Sequence, residues 1–159
     1  HPFLEHPDVM KITTKGHYAV TAMLDMALNA VDKPIKVETL ANRHGLSVSY
    51  LERLTGRMRA KGLLNSVRGP GGGYTLGRSP DKITVADIIE AVEEKVDATR
   101  CQGKGNCHQG ATCLTHHLWD ELNQQVMQFL KTMTLSRLAG LPKIKTIAVQ
   151  SEKPKEVQT

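Results

Sequence analysis

The spacing of apolar and polar positions predicts three helices in the first half of the chain. Thr13 or Thr14 is suited to cap a first helix that extends to about Asn29, and its apolar side chains leave almost no polar face, which predicts a largely buried helix. A second helix is expected over residues 37–44, followed by Gly45 where a left-handed cap is favoured. Ser47 is suited to cap a third helix, which should extend over residues 48–61.

The third predicted helix carries an apolar stripe and a polar, partly cationic face. Leu51, Leu54 and Met58 recur at i, i+3 and i+7 and should face the core. Two helices joined by a tight turn, with such faces on the second, are typical of a DNA-reading helix-turn-helix. Glu52 is suited either to accept a hydrogen bond from a cytosine amine or to pair with a neighbouring cation. The polar face comprises Ser49, Tyr50, Glu52, Arg53 and Arg57.

A glycine-rich segment after this helix predicts a protruding hairpin, or wing. Leu63–Val67 and Tyr74–Leu76 should form two short strands, joined by the sequence RGPGGG at residues 68–73. Arg68 lies at the start of the connection and is suited to enter a minor groove. A nucleotide-binding loop would need Gly-Lys-Ser/Thr opening a helix, whereas a strand follows here.

Two more helices are predicted in the second half. Residues 83–93 are amphipathic, and a longer helix is expected from about Cys113 to Thr132. Its apolar stripe is too extensive for a lone exposed helix, so it should pack on its own core or on a twin helix. The predicted fold class is mostly α with a small β-hairpin wing, a winged helix-turn-helix domain plus a long C-terminal dimerisation helix. The stripe comprises Leu118, Leu122, Val126, Phe129 and Met133.

These patterns divide the chain into four parts. Residues 1–9 lack periodicity and are interpreted as an expression remnant. Residues 10–82 form the predicted winged helix-turn-helix DNA-binding domain. Residues 83–138 comprise the amphipathic helix, a metal loop at 94–116 and the dimerisation helix. Residues 139–159 are rich in Pro, Lys, Gln and Thr and are expected to be disordered.

Charge is distributed unevenly along the 159 residues. Residues 10–82 carry 12 Lys and Arg against 5 Asp and Glu, a net of +7, whereas residues 83–99 carry one Lys against five acids, a net of −4. A basic module beside an acidic segment indicates a polyanion such as DNA as the partner of the first. No apolar run approaches the roughly 18–20 residues that span a bilayer. No nucleophile–base pairing indicates an enzyme.

All three cysteines lie in one short polar loop, at Cys101, Cys107 and Cys113, and His116 follows three residues later. Three thiolates and an imidazole make a complete four-ligand set for zinc or an iron–sulfur centre. The five-residue gaps are wider than those of most zinc knuckles, although spacing alone does not decide between the two. Crowded cysteines would scramble in an oxidising compartment, so a reducing cytoplasm is expected.

Residues 10–138 resemble the IscR family of bacterial iron–sulfur cluster regulators. The resemblance rests on MKITTKGHYAVTAMLDMAL, LSVSYLERL, SVRGPGGGYTL and above all VDATRCQGKGNCHQGATCLTHHLW. It implies a homodimeric, cytoplasmic and nucleoid-associated transcription factor that binds double-stranded operator DNA upstream of cluster-assembly genes. It further implies DNA reading at Ser49, Tyr50, Glu52 and Arg68. The same resemblance implies a [2Fe-2S] cluster on Cys101, Cys107, Cys113 and His116.

The expected function is therefore a transcriptional repressor or activator that senses iron–sulfur cluster status. The alternative is a structural-zinc winged-helix protein without sensing, and an electron carrier would have no use for the basic helix-turn-helix. The chain departs from the family pattern at Thr55-Gly56, where a larger apolar residue is common, and at Arg53, where an uncharged amide is frequent. The expected DNA-binding residues are Ser47, Ser49, Tyr50, Glu52, Arg53, Arg57 and Arg68.

Overall fold

Short helices and one two-stranded hairpin make up the computed structural model, which describes residues 14–29, 33–93 and 114–144. The remnant predicted at residues 1–9, the three cysteines and residues 145–159 of the predicted tail lie outside these ranges. The mostly helical fold class with a β-hairpin wing is confirmed. The elements are α1 (Thr14–Asn29), α2 (Val37–His44), α3 (Val48–Ala60), β1 (Leu64–Val67), β2 (Gly73–Leu76), a 3-10 turn (Pro80–Lys82), α4 (Val85–Val92), α5 (His116–Thr132) and α6 (Leu135–Ala139).

Local chemistry fixes the ends of the helices. Gly45 ends α2 with a φ of 64° and donates its N–H to the Ala41 carbonyl. The Ser47 hydroxyl accepts from the Tyr50 N–H at 3.2 Å and so caps α3, as predicted. Thr84 caps α4 in a reciprocal capping box with Asp87, both hydrogen bonds being 3.0 Å.

The main core lies between α1, α2, α3 and the base of the wing. In the wing, β1 pairs antiparallel with β2, so that Leu64 lies opposite Leu76. Ile35 forms a single β-bridge to Tyr74, with N–H to carbonyl distances of 2.9 and 2.8 Å. The wing is therefore anchored to the segment that leads into α2. The largest fully buried side chains here are Met23, Met26, Leu40, Leu51, Leu54, Met58, Leu63 and Leu64.

The second half of the chain packs on α4. Helix α4 contacts α1, α3 and α5, and Leu130 of α5 joins Val85, Ala86 and Ile89 in a small separate cluster. After α5 the chain returns alongside the start of α4, because the Val85 N–H donates to the Met133 carbonyl at 2.8 Å. This return sets α6 against α1 and buries Leu135 completely. Helix α6 and the 3-10 turn are elements that the sequence pattern does not predict.

Two smaller observations complete the fold. In the 3-10 turn the Ser79 hydroxyl donates to the Asp81 carboxylate, and this hydrogen bond lowers the pKa of Asp81 below its ordinary value. Within the three described ranges, no helix is both long and apolar enough to pass through a bilayer.

Candidate nucleic-acid interface and metal centre

Helix α3 presents its polar side chains to solvent because its apolar stripe is buried. Leu51, Leu54 and Met58 are at most 2% exposed, which confirms the predicted inward face. Of the predicted DNA-reading residues on this helix, Tyr50 is half-buried and the others are exposed. Helical spacing places the first of them within two turns of the Ser47 cap, where recognition helices touch base edges. This recognition face comprises Ser49, Tyr50, Glu52 and Arg53.

Tyr50 is held between an aromatic and a cationic neighbour. Its ring meets that of Tyr18 in α1 edge to face, with centroids 6.1 Å apart and planes at 87°. The guanidinium carbon of Arg53 lies 5.7 Å from the Tyr50 ring centroid, within cation–π range. Tyr18 thus positions a predicted DNA-reading side chain. No sequence signal identifies it, because its periodicity only marks it as part of an apolar helix.

Glu52 places a carboxylate on the recognition face. Its side chain is exposed, and among the described residues it forms no ion pair within 4.0 Å. The cation partner considered from the sequence is therefore not observed within this part of the chain. An exposed carboxylate beside Arg53 is repelled by phosphates but can accept from a cytosine amine.

Arg57 contacts protein rather than only solvent. Its Nη1 donates to the main-chain carbonyl of Val92 at 2.9 Å, across 35 residues of sequence. Val92 is the last residue of α4. The sequence prediction groups Arg57 with Ser49 and Arg53 as a DNA contact, whereas the structure uses part of its guanidinium to join α3 to α4.

The wing places Arg68 at the solvent-exposed start of a turn. The Gly72 N–H donates to the Gly69 carbonyl at 2.9 Å, which closes the turn beyond Arg68. Arg59 of α3 reaches Ser66 of β1 at 3.4 Å, so the recognition helix lies beside the wing. A groove of about 510 Å³ separates the wing from the start of α2, and Lys36 lines it. Arg68 and α3 thus belong to the same module, and both are accessible to a DNA duplex.

Of the four predicted metal ligands, the structure describes His116. It is the first residue of α5 and is 9% exposed, and its ring lies 5.5 Å from that of the exposed His117. Cys101, Cys107 and Cys113 lie outside the described residues, and within the described ranges no other group of three His, Cys, Asp or Glu side chains could hold a metal ion. The donor set of three thiolates and one imidazole fits an iron–sulfur cluster or zinc.

Helix α5 exposes most of its predicted apolar stripe. Leu118, Leu122 and Phe129 are 57%, 39% and 56% exposed, respectively. Leu130, which lies beside the stripe, is instead buried against α4. Large apolar side chains repeated along one helix face are characteristic of an interaction surface.

An exposed, capped and cationic recognition helix beside a wing with an accessible arginine defines a DNA-binding transcriptional regulator. Comparison with known families agrees, because residues 12–140 match the Rrf2 family, described as an iron-dependent transcriptional regulator. The chain belongs to the Rrf2 family. The relatives are regulators and not enzymes, as the sequence predicts.

Within this family, the chain is similar to regulators that carry the name IscR. HTH-type transcriptional regulators named IscR from Klebsiella pneumoniae strain 342 and from Escherichia coli strain K12 / DH10B are both 53% identical over 131 residues. The match covers 82% of this chain and 80% and 81% of those proteins. The resemblance to IscR predicted from the sequence is thus confirmed.

Two solved structures share the fold. The T. potens IscR structure has a TM-score of 0.67 at 32% identity, covering 91% of this chain and 93% of that one. CymR, the global cysteine regulator of B. subtilis, has a TM-score of 0.70 at 34% identity, covering 81% and 95%. The winged-helix architecture is therefore shared with a cysteine regulator as well as with an IscR.

Proposed function

We propose that this chain is a homodimeric regulator that reads operator DNA and adjusts its choice of promoters to iron–sulfur cluster supply, acting on cluster-assembly genes in the bacterial cytoplasm. The observation that carries the DNA-reading part is the recognition face of α3, which is largely exposed to solvent and follows directly from the Ser47 cap. Its sequence-reading residues are Ser49, Tyr50, Glu52 and Arg53, with Ser47 at the cap and Arg68 in the minor groove.

The cluster is assigned to Cys101, Cys107, Cys113 and His116. Support comes from the donor set, from the iron-dependent description of the family and from the IscR name of relatives at 53% identity. A bound [2Fe-2S] cluster supplies a labile, redox-active centre, and a histidine ligand makes such a centre less anionic than four thiolates do. His116, as the first residue of α5, would connect the cluster to the start of that helix.

The dimer is assigned to α5. Its exposed Leu118, Leu122 and Phe129 form a stripe that a second copy of the same helix can cover. Pairing along α5 sets the distance between two recognition helices, which suits a palindromic operator.

Metal and sulfide analysis tests the sensing part. We expect anaerobically purified protein to hold iron and acid-labile sulfide and to absorb in the visible range. His116→Ala should lose the cluster, whereas His116→Cys should retain it as a thiolate-ligated centre. His117 is the exposed neighbour, and His117→Ala should leave the iron and sulfide content unchanged. Zinc at one atom per chain without sulfide would support the structural-zinc alternative and overturn cluster sensing.

Duplex titrations test the DNA-reading part independently of the metal. Binding measured by fluorescence anisotropy should fall steeply with salt, and Arg68→Ala should lower the slope of log affinity against log salt by about one. Salt-independent binding, or an unchanged slope in Arg68→Ala, would contradict the proposed use of the wing.

A further inference from the structure

The contact between Arg57 and Val92 joins the recognition helix to the element that leads into the candidate metal loop. The Nη1 to carbonyl distance is 2.9 Å, and Arg57 lies two turns after Ser49 and one turn after Arg53 on the same helix. Val92 ends α4, and Glu93 is the last described residue before the segment that contains Cys101. One guanidinium therefore joins the DNA-facing helix to the end of α4, two residues before the predicted loop at 94–116.

The chemistry at the end of α4 makes this contact more than a surface hydrogen bond. The last carbonyls of a helix lack N–H partners within the helix, and they carry the negative end of its dipole. The Glu93 N–H satisfies the Ile89 carbonyl at 2.7 Å, and Arg57 satisfies that of Val92. A cation at this position stabilises the helix end.

A second arginine links the same C-terminal end of α3 to the start of α4. Arg78 Nη2 donates to the carbonyl of Lys61, the C-cap of α3, at 3.4 Å, and its Nη1 lies 3.9 Å from the Asp87 carboxylate. Asp87 belongs to the capping box at the start of α4. The C-terminal end of α3 is thus linked to both ends of α4, but only the Arg57 link is at the end of α4 that leads into the candidate loop.

We propose that Arg57 is a positioning residue that transmits cluster occupancy to the recognition face through the Val92 carbonyl. This inference rests on the proposed cluster-dependent function and names the residue through which the coupling acts. A change in the segment after Glu93 reorients the end of α4. The guanidinium passes this movement to α3 and so to Arg53 and Ser49, which lie on the same face of that helix.

Arg57→Met tests the inference, because methionine keeps most of the length of the side chain and removes its donors. Affinities for a panel of operator duplexes are measured for the cluster-loaded and the cluster-free protein, and the quantity compared is their ratio. Where the wild-type ratio lies in the range of about 5 to 150 typical of coupled sites, the ratio for Arg57→Met should fall to within about two-fold of one. Iron and sulfide per chain should stay unchanged.

A second readout needs no cluster. Hydrogen exchange of the Glu93 amide in the metal-free protein should be faster in Arg57→Met, because the end of α4 loses its cation. Arg59→Met is the matched control: Arg59 lies two residues away and contacts Ser66 of the wing rather than α4. Its coupling ratio and Glu93 exchange should match those of the wild type.

Three outcomes would overturn the inference. A wild-type ratio preserved in Arg57→Met would show that the coupling acts elsewhere while the proposed function stands. Equal loss of affinity in both forms, with a salt slope lower by about one, would make Arg57 a phosphate contact. A wild-type ratio of one would remove the coupling itself and with it the sensing part of the proposed function.

Discussion

At the scale of single residues, Asp25 is a buried carboxylate with three side-chain partners. It is 7% exposed, and its carboxylate lies 2.7 Å from both Arg43 Nη1 and His44 Nε2 and 3.2 Å from Asn29 Nδ2. Arg43 and His44 end α2, so this carboxylate locks α1 to the first helix of the helix-turn-helix. A buried charge is tolerated here because its hydrogen-bonding capacity is met.

We expect Asp25→Ala to lower the free energy of unfolding by about 1–3 kcal/mol. The value should fall short of that for a fully buried pair, because Arg43 is 45% exposed and can be rehydrated. Asn29→Ala removes only the longer hydrogen bond, in which one partner is uncharged, and should lower the free energy of unfolding by about 1 kcal/mol or less. Urea unfolding of the metal-free protein measures both, and equal effects of the two substitutions would contradict this role for Asp25.

Glu52 is expected to act on the selection among DNA sites rather than on the affinity for DNA in general. Glu52→Ala should tighten binding to duplexes that lack a suitably placed cytosine and reduce discrimination by roughly ten-fold, within the 1–3 kcal/mol typical of one base contact. Glu90→Ala removes the same charge from the exposed surface of α4 and should leave discrimination unchanged. A competition assay with two duplexes measures the ratio. An equal rise in affinity for all duplexes would show that Glu52 only repels DNA phosphates and does not select sites.

Residue-level prediction from the sequence succeeds where the determining chemistry is local. The Ser47 cap, the Gly45 turn and the burial of Leu51 depend on neighbours within a few positions, and each is confirmed. The partner of Arg57 lies 35 residues away and is a main-chain carbonyl, which has no sequence signature. The role of Arg57 therefore depends on tertiary packing.

At the scale of elements, periodicity predicts the long segments and misses the short ones. Five of the six helices within the described residues, and the hairpin, are predicted, with boundaries that differ by a few residues, as at the start of α5. Helix α6 has five residues, too few for an apolar repeat to appear. Its position depends on the main-chain bridge between Thr84 and Thr134, which no side-chain pattern encodes.

The wing is attached to the domain through a close approach of main chains at Gly73. A Cβ built on Gly73 would lie 2.3 Å from the Ile35 carbonyl oxygen, and its φ is 149°. We expect Gly73→Ala to disrupt the bridge between Ile35 and Tyr74 and to cost about 2 kcal/mol or more. Duplex affinity should fall with it, because the wing that carries Arg68 is then no longer anchored to the domain at this bridge.

Gly56 on α3 supplies the matched control for Gly73. A Cβ at Gly56 meets nothing within 4 Å, so Gly56→Ala should raise the free energy of unfolding by about 0.5–1 kcal/mol through helix propensity. Thermal and urea unfolding distinguish the two. A neutral Gly73→Ala would mean that the wing is not anchored through this bridge.

At the scale of the whole molecule, one chain leaves an apolar surface that its own core does not use. The sequence pattern left two partners open for the α5 stripe, its own core or a twin helix. Leu130 packs on α4, whereas Leu118, Leu122 and Phe129 remain exposed within the described part of the chain. Periodicity alone could not separate these groups, because the distinction depends on which side of α5 faces α4.

The dimer prediction follows from that surface. Phe129→Glu places a charge in the proposed α5 interface and should raise the dimer dissociation constant about 30-fold or more, equivalent to roughly 2 kcal/mol. Since Phe129 is 56% exposed, the fold of each chain should survive, which circular dichroism checks. Gln128→Glu adds the same charge beside the stripe and should remain dimeric in sedimentation. In Phe129→Glu, but not in Gln128→Glu, the affinity for a palindromic duplex should drop toward that for one half-site. An unchanged sedimentation coefficient in Phe129→Glu would rule out α5 as the dimer interface.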